Sequence, residues 1–332
     1  MKTKRLLSWL LVFMMCFALC ACKNGAPQDQ GRASQEASPI LYQVTDEDGH
    51  ILWLFGSIHV GREDYYPLPD YVMNAFNGAD SLAVELDIIA FEEDVNLQME
   101  ALMPLIYMDG SSIKDHISPE LYDKAVEAFK GFDTYMSALD MYCPALWYSM
   151  LDSLLMEQLG ADINLGIDRH LLEKAKENQK PILEIESAAS QYQLLAGFSD
   201  ELQAWLLESS VEMCQSPDLA RIDMNLMMDL WASGNEQAFS AYLAGSDETM
   251  TDEEQALYEE FNQAMLTNRN LQMAEFARDA LLSGEEIFIC VGAAHVIGEG
   301  SITQLLAQQG YTVEQVASYK SLQSVKQGGV AK

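Results

Sequence analysis

The chain has 332 residues, 51 of them acidic and 19 basic, for a formal charge of −32, and 49% of it is hydrophobic. That composition can bury a sizeable core, and it excludes a chain disordered throughout as well as collagen-like, coiled-coil and disulfide-scaffold classes. The acidic excess argues against nucleic acid as a partner, because phosphates call for clustered Lys and Arg, and against docking on anionic lipid through a basic face.

In chain order, residues 1–21 read as a signal peptide. Lys2, Lys4 and Arg5 form a positive start, and an apolar run of 16 residues follows from Leu6 to Ala21. The run is short for a bilayer span, which needs about 20 residues, and suits a secretory segment. It ends in Leu19-Cys20-Ala21-Cys22, which resembles the lipobox of bacterial lipoproteins. Cys22 is the expected lipidated residue, since small Ala21 precedes it, while Cys20 would follow bulky Leu19. Two or more acyl chains on one Cys anchor stably where a single chain does not. The expected location is therefore the cell membrane, through the lipid anchor only, facing outside the cytoplasm. Residues 23–38 contain no Val, Leu, Ile or aromatic residue. They cannot bury enough surface to order themselves, so residues 22–38 are expected to be the anchor and a flexible tether. Cys143, Cys214 and Cys290 remain, an odd number without a C-x-x-C pattern, which supports neither a disulfide framework nor a thiolate zinc site.

The folded body is expected over residues 39–316, with a tail over 317–332. Ile40–Val44 and Ile51–Phe55 flank the turn signal Asp46-Glu47-Asp48-Gly49, which predicts a hairpin. Further strands are expected at Leu82–Leu86, Pro181–Ile185, Ile287–Val291 and Thr312–Val316. Apolar runs of this length indicate strands covered on both faces. Ser118-Pro119 opens an amphipathic helix reaching Lys130, and Asp168–Asn178 reads as another. Almost everything from Ser199 to Ser283 reads helical, its Met, Leu and Trp stripe being core packing. A last helix runs from about Gly300 to Gln309. The fold class is α/β: a central β-sheet flanked by helices, with a large helical insertion over about 90–160 and 195–265.

Two motifs carry the chemistry. Gly56-Ser57-Ile58-His59 follows the strand ending at Phe55, and Gly292-Ala293-Ala294-His295 follows the strand ending at Val291. With 20 Gly and 5 His in the chain, chance supplies about 0.3 such G-x-x-H motifs. Two copies, each just past an apolar strand, point to a shared site. Gly56 and Gly292 allow a sharp turn and close backbone approach. The imidazoles then enter the crevice beyond the strand ends, where open α/β sheets bind ligands. They form a pair of metal ligands or a base–acid pair. Glu85 is the carboxylate expected beside them, since a charge in an apolar run is costly unless paired or metal-bound. Asp87 shares its face if the strand continues and is a further candidate ligand. Glu184 and Glu186 bracket another strand end with a weaker claim. His50, His116 and His170 are expected at the surface. Ser57 lacks a G-x-S-x-G context, and no H-E-x-x-H occurs. Asn268-Arg269 opens the helix before the second motif, where Arg269 could offer its guanidinium to an oxyanion.

Taken together, Leu54–Gly61, Ala83–Leu86, Gly166–Arg169, Asn268–Asn270, Val291–Val296 and Gly310–Val313 resemble the TraB/GumN family, which includes pheromone-shutdown proteins and the TIKI metalloproteases. The resemblance implies a fold like the erythromycin-esterase and ChaN-type proteins. It implies that His59, Glu85 and His295 hold a divalent metal ion (Mn, Co or Zn), with Glu85 and Arg269 catalytic and Gly56, Gly292, Asn268 and Asp87 in support. The expected function is metal-dependent hydrolysis of a peptide or related small-molecule substrate outside the cytoplasm. A metal-independent His/Glu hydrolase, or a lipoprotein binding a peptide or haem-like ligand without turnover, would use the same residues.

Overall fold

The computed structural model describes residues 37–245 and 250–316. The signal peptide, Cys22, the tether up to residue 36 and the tail 317–332 lie outside the described residues. Ala37 and Ser38, expected at the end of the tether, are buried instead. Ser38 N–H donates to the Ala232 carbonyl at 2.7 Å, so the packed body starts two residues earlier than composition implies. The reason is tertiary: small residues fit against the turn at Gly234, where a Cβ would come within 2.0 Å of Ser38 O.

Six strands form one sheet: β1 (Leu41–Thr45), β2 (Ile51–Ser57), β3 (Ser81–Val84), β4 (Ile182–Glu184), β5 (Ile287–Gly292) and β6 (Thr312–Gln315), in the order β4-β3-β5-β2-β1-β6. The sheet is α/β as expected, flanked by helices. β1 and β2 are the hairpin read from the turn signal, with Thr45 opposite Ile51. Asp46 builds the turn by accepting the N–H groups of Asp48 and His50 at 3.0 and 2.8 Å. β2, β5, β3 and β4 run parallel to one another. β5 at their centre is buried at every position, and so is β3. This is the outcome that unbroken apolar runs predict. The edge strands differ: β4 is half-exposed and β6 largely exposed, because each has one neighbour.

Helices fill the connections. Ser118 caps the helix Pro119–Gly131 by accepting the Leu121 N–H, and the helix Ile167–Glu177 leads into β4. Among the described residues, five α-helices occupy most of the span from Asp200 to Ser283, as the apolar stripe requires. The helix Pro217–Ser233 locks the sheet end from outside, its Trp231 indole N–H donating to Gly56 O at 2.8 Å. Cys143, Cys214 and Cys290 are free, and Cys290 is a small core residue. No helix of the described residues is long and apolar enough to cross a membrane.

Candidate active site

The parallel strands place four chain turns at one edge. Ser57 of β2 stands opposite Gly292 of β5, and Val84 of β3 opposite Cys290. His59, Glu85, Glu186 and His295 therefore all follow carboxyl ends of neighbouring strands, the usual binding edge of an open α/β sheet. The two G-x-x-H motifs touch. A Cβ on Gly56 would sit 3.0 Å from Ala293 Cα, so Gly56 is required by this close approach. Gly292 is under less steric demand, its nearest neighbour being Glu85 Oε1 at 3.4 Å from a Cβ. Its contribution is the backbone N–H, which donates to Glu85 Oε1 at 2.7 Å.

Glu85 is buried and engaged on both oxygens. Oε2 accepts from the Arg269 guanidinium, and Oε1 from Gly292. Arg269 also donates Nε–H and Nη2–H to the two oxygens of Glu186, at 2.7 Å each, and Nη1–H to Met265 O at 3.2 Å. Arg269 is thus a structural cation clamped between two carboxylates. Burial opposes the charge on Glu85, but Arg269, the two imidazoles and the Gly292 N–H together outweigh it and hold the carboxyl below its ordinary range. The same carboxylates outweigh burial at Arg269 and raise its pKa.

Each imidazole is oriented by a side-chain oxygen. His59 Nδ1 lies 2.6 Å from Asp168 Oδ2. His295 Nδ1 lies 2.6 Å from Asn270 Oδ1. The Asn270 amide is itself set by its Nδ2–H, which donates to Gly300 O at 2.9 Å, so the carbonyl oxygen must face the ring. Both acceptors demand an Nδ1–H, which makes Nε2 the lone-pair nitrogen of each ring. The environments then diverge. Burial works against a charged His59, but the Asp168 carboxylate outweighs it and raises the pKa. At His295, burial and then the Arg269 charge push the pKa down to about 3, so this ring is neutral. His295 Nε2 stands 3.9 Å from Glu85 Oε1.

These groups line a cleft of about 480 Å³, open mouth included, walled on one side by Phe239, Leu243, Phe261 and Leu266. The helical insertion supplies that wall. A π-helical segment, Gln263–Thr267, lies just before the helix Asn268–Ser283, and it brings Met265 to the cleft beside Arg269.

Of the residues expected at the site, His59, Glu85, His295, Arg269 and Gly292 all line this cleft. Two supporting candidates stand elsewhere. Asp87 caps the helix Ile88–Glu93 by accepting the Ala90 N–H, and pairs with Lys176 at 3.3 Å. β3 stops at Val84, so strand alternation does not carry Asp87 onto the face of Glu85. Asn268 is exposed and accepts from Gln263. The sequence does not single out Asp168 and Asn270, and gives Glu186 only the weaker claim of a strand-end acid. The first two lie within family-like segments, and that was their only signal. His50, His116 and His170 are outside the cleft. His50 pairs with Asp46 at 2.7 Å, His116 stacks on Tyr107 at 4.2 Å, and His170 packs on Tyr66.

The fold and cleft define an α/β protein with two tautomer-fixed histidines and a buried Glu–Arg–Glu cluster at the carboxyl edge of its sheet. The chain belongs to the TraB/PrgY/gumN family, whose model matches residues 40–315. It is similar to an uncharacterized protein, YbaP, of Escherichia coli strain K12, with 29% identity over 258 residues, covering 76% of this chain and 86% of that protein. YbaP of Shigella flexneri matches to the same extent. No solved structure matches the chain.

Proposed function

We propose that the cleft hydrolyses a peptide or related amide outside the cytoplasm, with a divalent ion such as Mn, Co or Zn held by His59 Nε2 and His295 Nε2. The observation that carries this reading is the matched orientation of the rings: each gives its Nδ1–H to a side-chain oxygen and keeps Nε2 basic. Metal-ligating histidines have this outer support as a rule. The donor chemistry fits for the two imidazoles. It does not fit a preassembled third ligand at Glu85, whose oxygens are both engaged. Nor do ligand atoms of His59, Glu85 and His295 lie within 4.8 Å of one another as a set. The set of three that meets this spacing among the described residues is Asp46, Asp48 and His50. It lies at the hairpin turn, roughly 23 Å of strand away, with Asp46 already hydrogen-bonded to the turn.

A bound ion would polarise the scissile carbonyl and lower the pKa of a bound water. The chain's own residues supply the rest. Asp168 and Asn270 hold the rings. Glu85 sets a negative charge beside His295, and Arg269 keeps that carboxylate ionised and in place. The lipid anchor at Cys22 would hold the enzyme at the membrane surface. The test is elemental analysis of the purified protein together with cleavage of a peptide library, using His59→Ala and His295→Ala. Loss of both bound metal and cleavage in each variant is expected; unchanged metal content and cleavage would refute the reading.

One observation favours a second mechanism. The Asp168–His59 pair raises the basicity of His59, as a general base acting directly on water requires. Cleavage that survives exhaustive chelation selects this mechanism over the first.

A further inference from the structure

His59 and Glu85 also line a second, smaller lobe of about 320 Å³, together with Ser57, Asp168, Gln191 and Leu86. Two of its polar atoms lack a hydrogen-bond partner although they are buried: Ser57 Oγ and Asp168 Oδ1. Ser57 is 0% exposed and Asp168 6%. The Cys290 thiol beside Ser57 is only a weak partner. Gln191 donates its amide N–H to Glu186 at 2.8 Å, which leaves its Oε1 as an acceptor. The lobe therefore presents a carboxylate oxygen, an amide oxygen and a hydroxyl, between apolar walls. Charge is unbalanced in the same direction. Glu85 and Glu186 share one guanidinium, Arg269, and Asp168 pairs with the His59 ring, so three carboxylates meet at most two cations. Buried charge without a counter-charge is costly. A water molecule would satisfy the hydrogen bonds and leave the charge.

We propose that this lobe binds a primary ammonium group of the substrate, its three N–H donors matched to Asp168 Oδ1, Ser57 Oγ and Gln191 Oε1. The inference rests on the hydrolase reading above and gives it a substrate class: peptides whose scissile bond lies close to a free amino group. The amino group can come from a chain N-terminus or from a lysine side chain. In either case the apolar wall of the larger lobe takes the neighbouring residue.

The experiment is calorimetric titration of the whole protein with leucinamide, N-acetyl-leucinamide and Nα-acetyl-lysinamide. Leucinamide is expected to bind at least about tenfold more tightly than its acetylated form, the value of a hydrogen-bonded charge. Ser57→Ala should reduce that preference several-fold. Leu86→Phe, which fills the lobe, should abolish binding. Tight binding of Nα-acetyl-lysinamide alone assigns the ammonium to a side chain. Equal affinity for leucinamide and its acetylated form with no tighter binding of Nα-acetyl-lysinamide, or no binding of any probe, overturns the proposal. Binding is read without turnover, so the two readings fail separately. A protein that binds the amines and cleaves no peptide refutes hydrolysis alone. Cleavage of blocked, lysine-free peptides as fast as free ones refutes the ammonium site alone.

Discussion

Asp168 Oδ2 receives the Nδ1–H of His59 at 2.6 Å, across 109 residues of sequence. The contact exists because Ile167 N–H donates to Ile58 O at 3.0 Å, which docks the start of a helix beside the first motif. The chain must also pass very close there: a Cβ on Gly166 would lie 2.6 Å from His59 O.

The pair makes stability depend on pH. The folded pKa of His59 is raised, so its contribution is fully present below the ordinary imidazole value and is lost as pH rises through the folded pKa. Asp168→Asn should cost about 3 kcal/mol near pH 6 and less at pH 9. Guanidinium unfolding at the two pH values measures this. A penalty independent of pH would show that the carboxylate does not act through the His59 charge.

Gly166→Ala should displace His59 and destabilise the protein by about 1–3 kcal/mol. The backbone there has φ −59°, so the cost is steric contact alone. Gly131→Ala is the control: a Cβ there meets nothing within 4 Å, so that change is expected to be neutral or slightly stabilising. Equal melting temperatures for the two variants would contradict the close approach.

Arg269→Met leaves Glu85 and Glu186 buried without their cation. The expected loss is about 3–5 kcal/mol. Arg269→Lys should recover little, since one ammonium cannot reproduce the paired N–H contacts to both carboxylates. Adding Glu186→Gln to Arg269→Met should restore part of the loss. Urea denaturation of these variants, of Glu186→Gln alone and of the wild type gives the comparison, and additive losses would rule out a coupled cluster.

Asp152 lies in the helix Pro144–Leu159, away from the cleft lining, 2% exposed and with neither oxygen hydrogen-bonded. Burial raises its pKa far above the usual range; nearby Ser210 opposes this weakly, its hydroxyl donating to Leu206 O at 3.2 Å. The folded state therefore holds the proton more tightly than the unfolded state. Its favourable contribution is complete below the unfolded carboxyl pKa and is lost as pH rises toward the folded value. Asp152→Asn should stabilise the protein by on the order of 1–3 kcal/mol at pH 8 and by almost nothing near pH 4. Chemical unfolding across that range checks the slope, and a variant less stable at pH 8 would disprove it.

Much of the architecture was legible in the chain. The Asp-rich turn between two apolar runs is a hairpin because a turn is local chemistry. The buried strands are recognisable because an inner parallel strand needs apolar residues on both faces. The paired G-x-x-H motifs mark the cleft because both follow such strands.

What the sequence could not decide was which faces meet. The segment Asn268-Arg269-Asn270 contains two asparagines about 200° apart around a helix. Packing alone buries Asn270 against His295 and leaves Asn268 in solvent. Alternation would put Asp87 on the face of Glu85 if the strand continued, but β3 ends at Val84 and Asp87 becomes a helix cap. The partners of the two histidines come from helices 25 and 109 residues away. Periodicity records how a segment presents its own side chains. The partners that orient an imidazole, clamp an arginine or leave a carboxylate oxygen unpaired are set by contacts between distant segments, and only the assembled chain contains those.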